Sequence, residues 1–496
     1  MPQVTSVEDF GALRFGRGAE FEVADAERVR DAVRDSGVSD LYLVVHGAHN
    51  DEEVGGAVDL AFRNMLGEAW QGADRRVGFL AVHWPSLCFR DEGLPGVDEP
   101  GGAVDEEDGP VLSRATVDDL FRHLPDSGAA LTEIVELLRD RPEHDPAFDD
   151  FGTALRRLAE VPLQDPVAGF GADTEGEVMP QSDPLMLFED TRTMCAEFSG
   201  ALRDVRRARD KEAGAPARQE SAGGGSVVSE DGTLQETTTA GPRPARPVSE
   251  RVRRTGTVAG GGPLGQARAT DFAESWAGAH ELFRQVVRHV LRRRAGLVGQ
   301  LGLGTCLPLL AEGSDVRLHL VGHGLGGRLA GFALRGVEEG AATPVLLSSL
   351  TLLQGEMSHF AFADSLPQQV SGHGALWNLQ RLVEGPLICT FSHLDFHLGV
   401  FYPLSAQMIG DSPELATTGR KWGALGFDGI QGVEGTAPVL LEDVAQLTLG
   451  SRPYLNVDGS DVIRSGHVPM GGHHQVFHPE IGQLLRQAVT FRQDAD

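Results

Sequence analysis

Between an apolar run at residues 316–321 and a helix-like pattern beyond it, the chain reads Gly322-His323-Gly324-Leu325-Gly326. A glycine-rich turn from strand to helix gathers backbone amides at the helix N-terminus, where they can receive a phosphate or another anion. Its central residue, Gly324, has no side chain and so supplies no nucleophile. Imidazoles make up the second set of reactive groups. His393-x-Asp395-x-His397 places three possible metal ligands on one short stretch, and His46, His49, His473 and His474 add more in two other places. Metal-assisted hydrolysis needs no nucleophilic side chain. Alternate residues on an extended segment share a face but seldom converge on one ion, however, and the H-E-x-x-H signature is absent from the sequence. Neither a metal nor a cofactor is expected.

Five short runs rich in Val, Leu and Ile supply the elements that would hold these groups: 41–45, 77–82, 316–321, 346–353 and 386–390. Runs apolar on both faces belong to a mostly parallel sheet covered by helices on each side, the α/β class. A hairpin over 10–23 and a late strand at 454–457 are further candidates. The clearest helix spans 271–294, where Phe272, Trp276, Ala279, Phe283, Val286 and Val290 recur at steps of three and four as one apolar stripe. Asp271 is placed to cap its start, and Arg292–Arg294 to suit its negative end.

More than two hundred residues separate the second run from the third, far beyond an ordinary crossover. The expected organisation is a core half at 1–86, an inserted acidic loop and helical cap at 87–212, a disordered linker at 213–265 and a second core half at 266–496. Helical patterns at 117–124, 131–139, 147–159 and 187–209 would form the cap. Residues 213–265 are rich in Gly, Pro, Ser, Thr and Ala and nearly lack bulky apolar residues.

A net charge of -29, from 72 acidic and 43 basic residues, argues against nucleic acid and against attraction to anionic membranes. The longest charge-free run, 295–311, contains glycines, a proline and a glutamine, too broken for a membrane span. Four dispersed cysteines, Cys88, Cys195, Cys306 and Cys389, form no C-x-x-C pair, and no secretory signal opens the sequence. A reducing, cytoplasmic setting is expected.

Taken in chain order, these segments resemble the α/β-hydrolase serine enzymes of the esterase and lipase type. The run 40–45 with His46-Gly47 is similar to that family's third strand and HG turn. The run 77–86 is similar to the fourth strand, 348–354 to the sixth and 385–395 to the seventh. The stretch 457–461 followed by Gly471-Gly472-His473-His474 is similar to the last strand and histidine loop. The resemblance places the insertion between the fourth and fifth core strands. It puts the nucleophile position at Gly324, the acid at Asp395 and the base at His473, with His474 as the alternative base. It gives the oxyanion hole to amides of Leu325 and of Gly47 or Ala48, with His46, His49, His323 and His474 around a possible pocket.

Three explanations of the glycine stand side by side. Gly324 replaces the serine of a Ser-His-Asp carboxyl-ester hydrolase (esterase, lipase or thioesterase) and leaves it inactive. Alternatively, the chain is a natural pseudo-hydrolase acting as a binding or scaffold protein. In the third, His473 and Asp395, or a metal, activate water directly. The joint presence of acid, histidine and HG turn favours the first. The expected partner is a small-molecule or acyl substrate in a capped pocket.

Overall fold

A computed structural model describes residues 7–47, 52–93, 112–161, 165–176, 190–213, 271–340, 345–367, 372–408, 423–446, 453–464 and 466–489. Its strands, in chain order, are β1 (Val7–Arg14), β2 (Asp40–Val45), β3 (Val77–His83), β4 (Thr174–Gly176), β5 (Arg317–His323), β6 (Ser349–Leu353), β7 (Gly372–Gly374), β8 (Leu387–Phe391), β9 (Val439–Leu440) and β10 (Tyr454–Asp458). Eight of them form one sheet in the order β1-β3-β2-β5-β6-β8-β10-β9, with every neighbouring pair parallel. β4 and β7 pair separately and antiparallel. The fold is α/β, a parallel sheet flanked by helices.

Alternation along the central strands fills both faces. Leu41, Leu43, Val45, Leu80, Val82, Leu318 and Leu320 point into one core, shared with the helices Phe272–Leu297 and Leu325–Gly340. Tyr42, Val44, Phe79, Ala81 and Val321 point into the other, with Phe62, Met65 and Leu66 of Glu52–Ala69 and with Ile481 and Leu485 of Pro479–Ala488. The Tyr42 hydroxyl donates to the Leu485 carbonyl at 2.9 Å, so even its polar end is satisfied in the core.

The expected hairpin at 10–23 is not formed. β1 runs parallel to β3, the chain turns at 16–20, and Val23–Ser36 is a helix that buries Ala26, Val29 and Val33 and ends at Gly37 with φ +72. Pairing with β3 buries Val7 and Leu13, contacts that an isolated two-stranded ribbon would not supply.

The helix Phe272–Leu297 departs further from its expected form. It is buried on almost every side rather than along one stripe. Asp271 occupies the N-cap position, but its side chain makes no capping bond. Arg292–Arg294 do not face solvent at a helix end. Arg292 bonds Asp173, Arg293 bonds the Ala159 carbonyl, and Arg294 bonds the carbonyls of Pro85 and His123. Helices of the inserted region, Arg114–His123, Gly128–Asp140, Asp145–Ala159 and Thr191–Ala213, supply the cover. Phe148 stacks on Trp276 with ring centroids 4.3 Å apart. The acidic loop does not begin at residue 87 as expected, since Leu87, Cys88, Phe89 and Glu92 are buried. Residues 94–110 and 214–265, where the rest of that loop and the linker were expected, lie outside the described residues.

The charge-free run 295–311 packs backbone to backbone on Leu325–Gly340. A Cβ on Gly299 would stand 2.3 Å from the Leu329 carbonyl oxygen, and one on Gly336 would stand 2.0 Å from that of Gln300. Among the described residues, no helix is long and apolar enough to cross a membrane.

Asp173 ties these layers together. Its carboxylate accepts from Arg328 Nε at 2.8 Å, Arg292 Nη2 at 2.7 Å, the Tyr402 hydroxyl at 3.1 Å and the Ser358 amide at 2.8 Å. Burial works to raise its pKa, but the charges of Arg328 and Arg292 outweigh burial and hold it at about 2. Removing one partner of a buried pair strands the others, at a cost of about 3–5 kcal/mol. Asp173→Ala should therefore lower the urea-unfolding free energy by that amount. Arg335→Ala, which breaks a more exposed pair with Glu175, should stay within about 1 kcal/mol. Equal losses in the two variants would contradict this account.

Candidate active site

The strand order reverses between β2 and β5, since β3 and β1 lie on one side and β6, β8 and β10 on the other. In parallel α/β sheets the crevice outside the carboxyl ends of the strands at such a switch point is where ligands bind. His46-Gly47 follows β2 there, and Gly324 follows β5.

Close backbone approach dictates the glycines of this turn. A Cβ on Gly326 would lie 2.3 Å from the His46 carbonyl oxygen, and one on Gly322 would lie 2.4 Å from that of Gly326. Gly47 is similarly confined, its Cβ position standing 3.0 Å from His323 Nδ1. Gly324 adopts φ +55, its amide donates to the Leu353 carbonyl at 3.0 Å, and its carbonyl accepts from the Glu356 amide at 2.9 Å. The turn is thereby locked to the end of β6. Leu325 opens the following helix, so its amide belongs to the first turn, whose N–H groups lack intrahelical partners.

Asp395 and His473 come from loops held together by their backbones. The Gly472 amide donates to the Leu394 carbonyl at 2.9 Å, and Asp395 and Gly471 form an antiparallel bridge. His473 Nδ1 then lies 2.8 Å from Asp395 Oδ2, with both side chains buried. The other carboxylate oxygen accepts from the Leu398 amide at 2.9 Å. His473 Nε2 faces the turn, 3.0 Å from where a Cβ on Gly324 would stand. Burial lowers the His473 pKa well below its usual value, helped by the nearby His474, His397 and Arg288, while burial pushes Asp395 up to about 7. The imidazole is therefore neutral, with Nδ1–H toward the carboxylate and a lone pair on Nε2.

The remaining expected positions have separate surroundings. The His46 ring stacks on Trp84, donates from Nδ1 to the Gly47 carbonyl at 3.0 Å and accepts from the Trp84 amide at 3.3 Å. It shapes the loop after β2. His323 Nε2 donates to the His473 carbonyl at 2.9 Å. His474 is buried beside both. Ala48 and His49 lie outside the described residues. His393, Asp395 and His397 do not converge: the His393 ring lies between Phe391 and Phe427, and His397 Nε2 lies 3.2 Å from Glu356.

Sequence reading missed a buried ionic cluster beside this dyad. Arg288 donates to Glu356 at 2.7 Å and to Glu92 at 2.9 Å, and Arg284 donates to Glu92 at 3.0 Å and to Asp91 at 2.6 Å. Burial raises the pKa of Glu356, but Arg288 and then His397 outweigh it and hold the carboxyl at about 2. The available signal was the spacing of four between Arg284, Arg288 and Arg292, which puts all three on one helix face.

No family model, curated protein or solved structure matches the chain.

These buried groups give stability a definite pH dependence. Burial lowers the pKa values of His280 (to about 4), His289, His323 and His473, so below about 6.5 the unfolded chain takes up protons that the folded one refuses. Asp395 and Glu281, both raised by burial to about 7, act in the opposite sense: their contribution is complete at low pH and is lost as pH rises through 7. With His319, whose pKa burial also lowers, five histidines outnumber the two carboxyls. Unfolding free energy should fall by at least about 1.4 kcal/mol for each pH unit between 6 and 5. Urea titrations at pH 7, 6 and 5 check this, and stability that is flat or rises on acidification would refute it.

Proposed function

We propose that this chain is an α/β-hydrolase-fold protein related to the serine carboxyl-ester hydrolases, with its acid and base in place and glycine at the nucleophile position. One observation carries the reading. Asp395 holds His473 Nδ1 at 2.8 Å while Nε2 faces the Cβ position of Gly324 at 3.0 Å. A serine hydroxyl there would meet a neutral imidazole ready to take its proton. Asp395 would hold the tautomer and stabilise the imidazolium, and the amides of Leu325 and of Gly47 or Ala48 would receive the oxyanion. The order nucleophile position, acid and histidine along the chain is the one this fold uses. The backbone contacts at Gly322 and Gly326 support an elbow built for a close turn. With Gly324 no acyl-enzyme forms, and the chain as written is inactive by that route. The substrate class is an ester, thioester or other acyl compound entering the crevice at the switch point.

A second reading is a protein that binds such a compound without turning it over. The glycine at 324 favours it, since it supplies no nucleophile.

Gly324→Ser distinguishes the two. Under the hydrolase reading the variant should label with a fluorophosphonate probe and hydrolyse short or long acyl esters on the order of 10⁴-fold faster than the unsubstituted chain. Both gains should vanish in Gly324→Ser/His473→Ala. Because His473 is held neutral, the acid limb of the rate profile should lie below pH 6.5. A folded Gly324→Ser protein that neither labels nor turns over would leave the binding reading.

A further inference from the structure

We infer that His323, His473 and His474 form a binding site for one divalent transition-metal ion of the zinc type. The inference goes beyond the hydrolase reading and does not depend on it. Among the described residues these are the three side chains whose ligand atoms gather, all buried and all within 4.8 Å of one another. Three histidines and a vacant fourth position are the donor set of catalytic zinc sites.

The hydrogen bonds already sort the ring nitrogens. His473 gives its Nδ1–H to Asp395, the carboxylate–histidine arrangement that orients an imidazole and raises its basicity toward a metal, so Nε2 is the free ligand atom. His323 gives its Nε2–H to the His473 carbonyl, so Nδ1 keeps its lone pair. His474 has no hydrogen-bond partner at either ring nitrogen, although the side chain is buried. Its Nε2 faces Glu92 at 3.8 Å, a long contact that helps to hold that carboxylate low, while Nδ1 makes no hydrogen bond. A buried imidazole so weakly paired carries a desolvation cost that a metal bond would remove.

Carboxylates stand beside the group: Glu92 is 3.8 Å from His474 Nε2, and Asp395 is 2.8 Å from His473 Nδ1.

The test uses the full-length chain without a histidine tag, stripped with chelator and then titrated with zinc or cobalt(II). The expected result is about one equivalent of bound zinc by elemental analysis, the visible bands of a tetrahedral cobalt site, and a rise in melting temperature that chelator reverses. His474→Ala should weaken zinc binding by at least about 100-fold, and Asp395→Asn by about 10- to 100-fold. His478→Ala, a histidine outside the group, should bind as the parent does. Circular dichroism of each variant establishes that it is folded. Should His474→Ala fail to fold, the cobalt bands and the melting shift of the parent chain decide alone. A parent that binds no stoichiometric metal, or a folded His474→Ala that binds as tightly as the parent, overturns the site. Because the readout is bound metal on the Gly324 chain, it is independent of whether Gly324→Ser hydrolyses an ester.

Discussion

Everything at the crevice depends on how closely the turn after β5 approaches the turn after β2. Gly326 sits where any side-chain carbon would strike the carbonyls of Val45 and His46 at 2.4 and 2.3 Å. That contact sets the position of the following helix, which opens at Leu325. It also fixes Gly324 in a left-handed conformation, φ +55, between the Leu353 carbonyl and the Glu356 amide. The two turns are brought together because β2 and β5 are hydrogen-bonded neighbours in register from Asp40–Arg317 to Val45–Gly322. Sheet registry is thus translated into site geometry through one backbone contact.

A second layer of organisation is electrostatic and lies in the helix Phe272–Leu297. Its arginines at 284, 288 and 292 reach Asp91, Glu92, Glu356 and Asp173, which come from three distant parts of the chain. Buried ions are costly to desolvate, and well-packed apolar residues are often as stable or more so. Their value here is positional. Arg288 joins Glu92, from the segment after β3, to Glu356, from the loop after β6, and both carboxylates stand next to the histidines of the crevice. These ion pairs tie both loops to one helix, so the cluster restricts where the loop residues can lie.

The parallel strands were legible because burial on both faces leaves uninterrupted Val, Leu and Ile runs, and each of the five runs overlaps an observed strand. β1 was misread as half of a hairpin because this edge strand fully buries only Val7 and Leu13, and the glycines at 16 and 18 lie in a real turn that leads into a helix rather than a second strand. The helix Phe272–Leu297 was placed correctly, but its environment was not. Periodicity showed an apolar stripe, yet the polar stripe beside it is also buried, and nothing local distinguishes a buried arginine from an exposed one. Asp173 gave no signal at all, since its partners lie more than a hundred residues away in sequence. Asp395, His473 and Gly324 could be put in order along the chain. Their distances depend on loop-to-loop bridges such as Asp395–Gly471, which no sequence pattern encodes.

The hydrolase and metal readings meet at a single atom, the Nε2 lone pair of His473. In a serine hydrolase it is reserved for a proton, and the hydroxyl that delivers that proton also fills the space in front of it. With glycine at 324 that space holds only a hydrogen, while burial keeps the ring neutral and Asp395 keeps its tautomer. A buried, neutral, correctly oriented nitrogen without a donor partner is available to an electrophile that the crevice admits. The two other imidazoles within 4.8 Å make a metal cation the ligand that satisfies most of those groups at once. A serine at 324 would reverse the balance by giving Nε2 a proton to accept. On these two readings, the residue at the end of β5 decides whether Nε2 serves proton transfer or metal coordination.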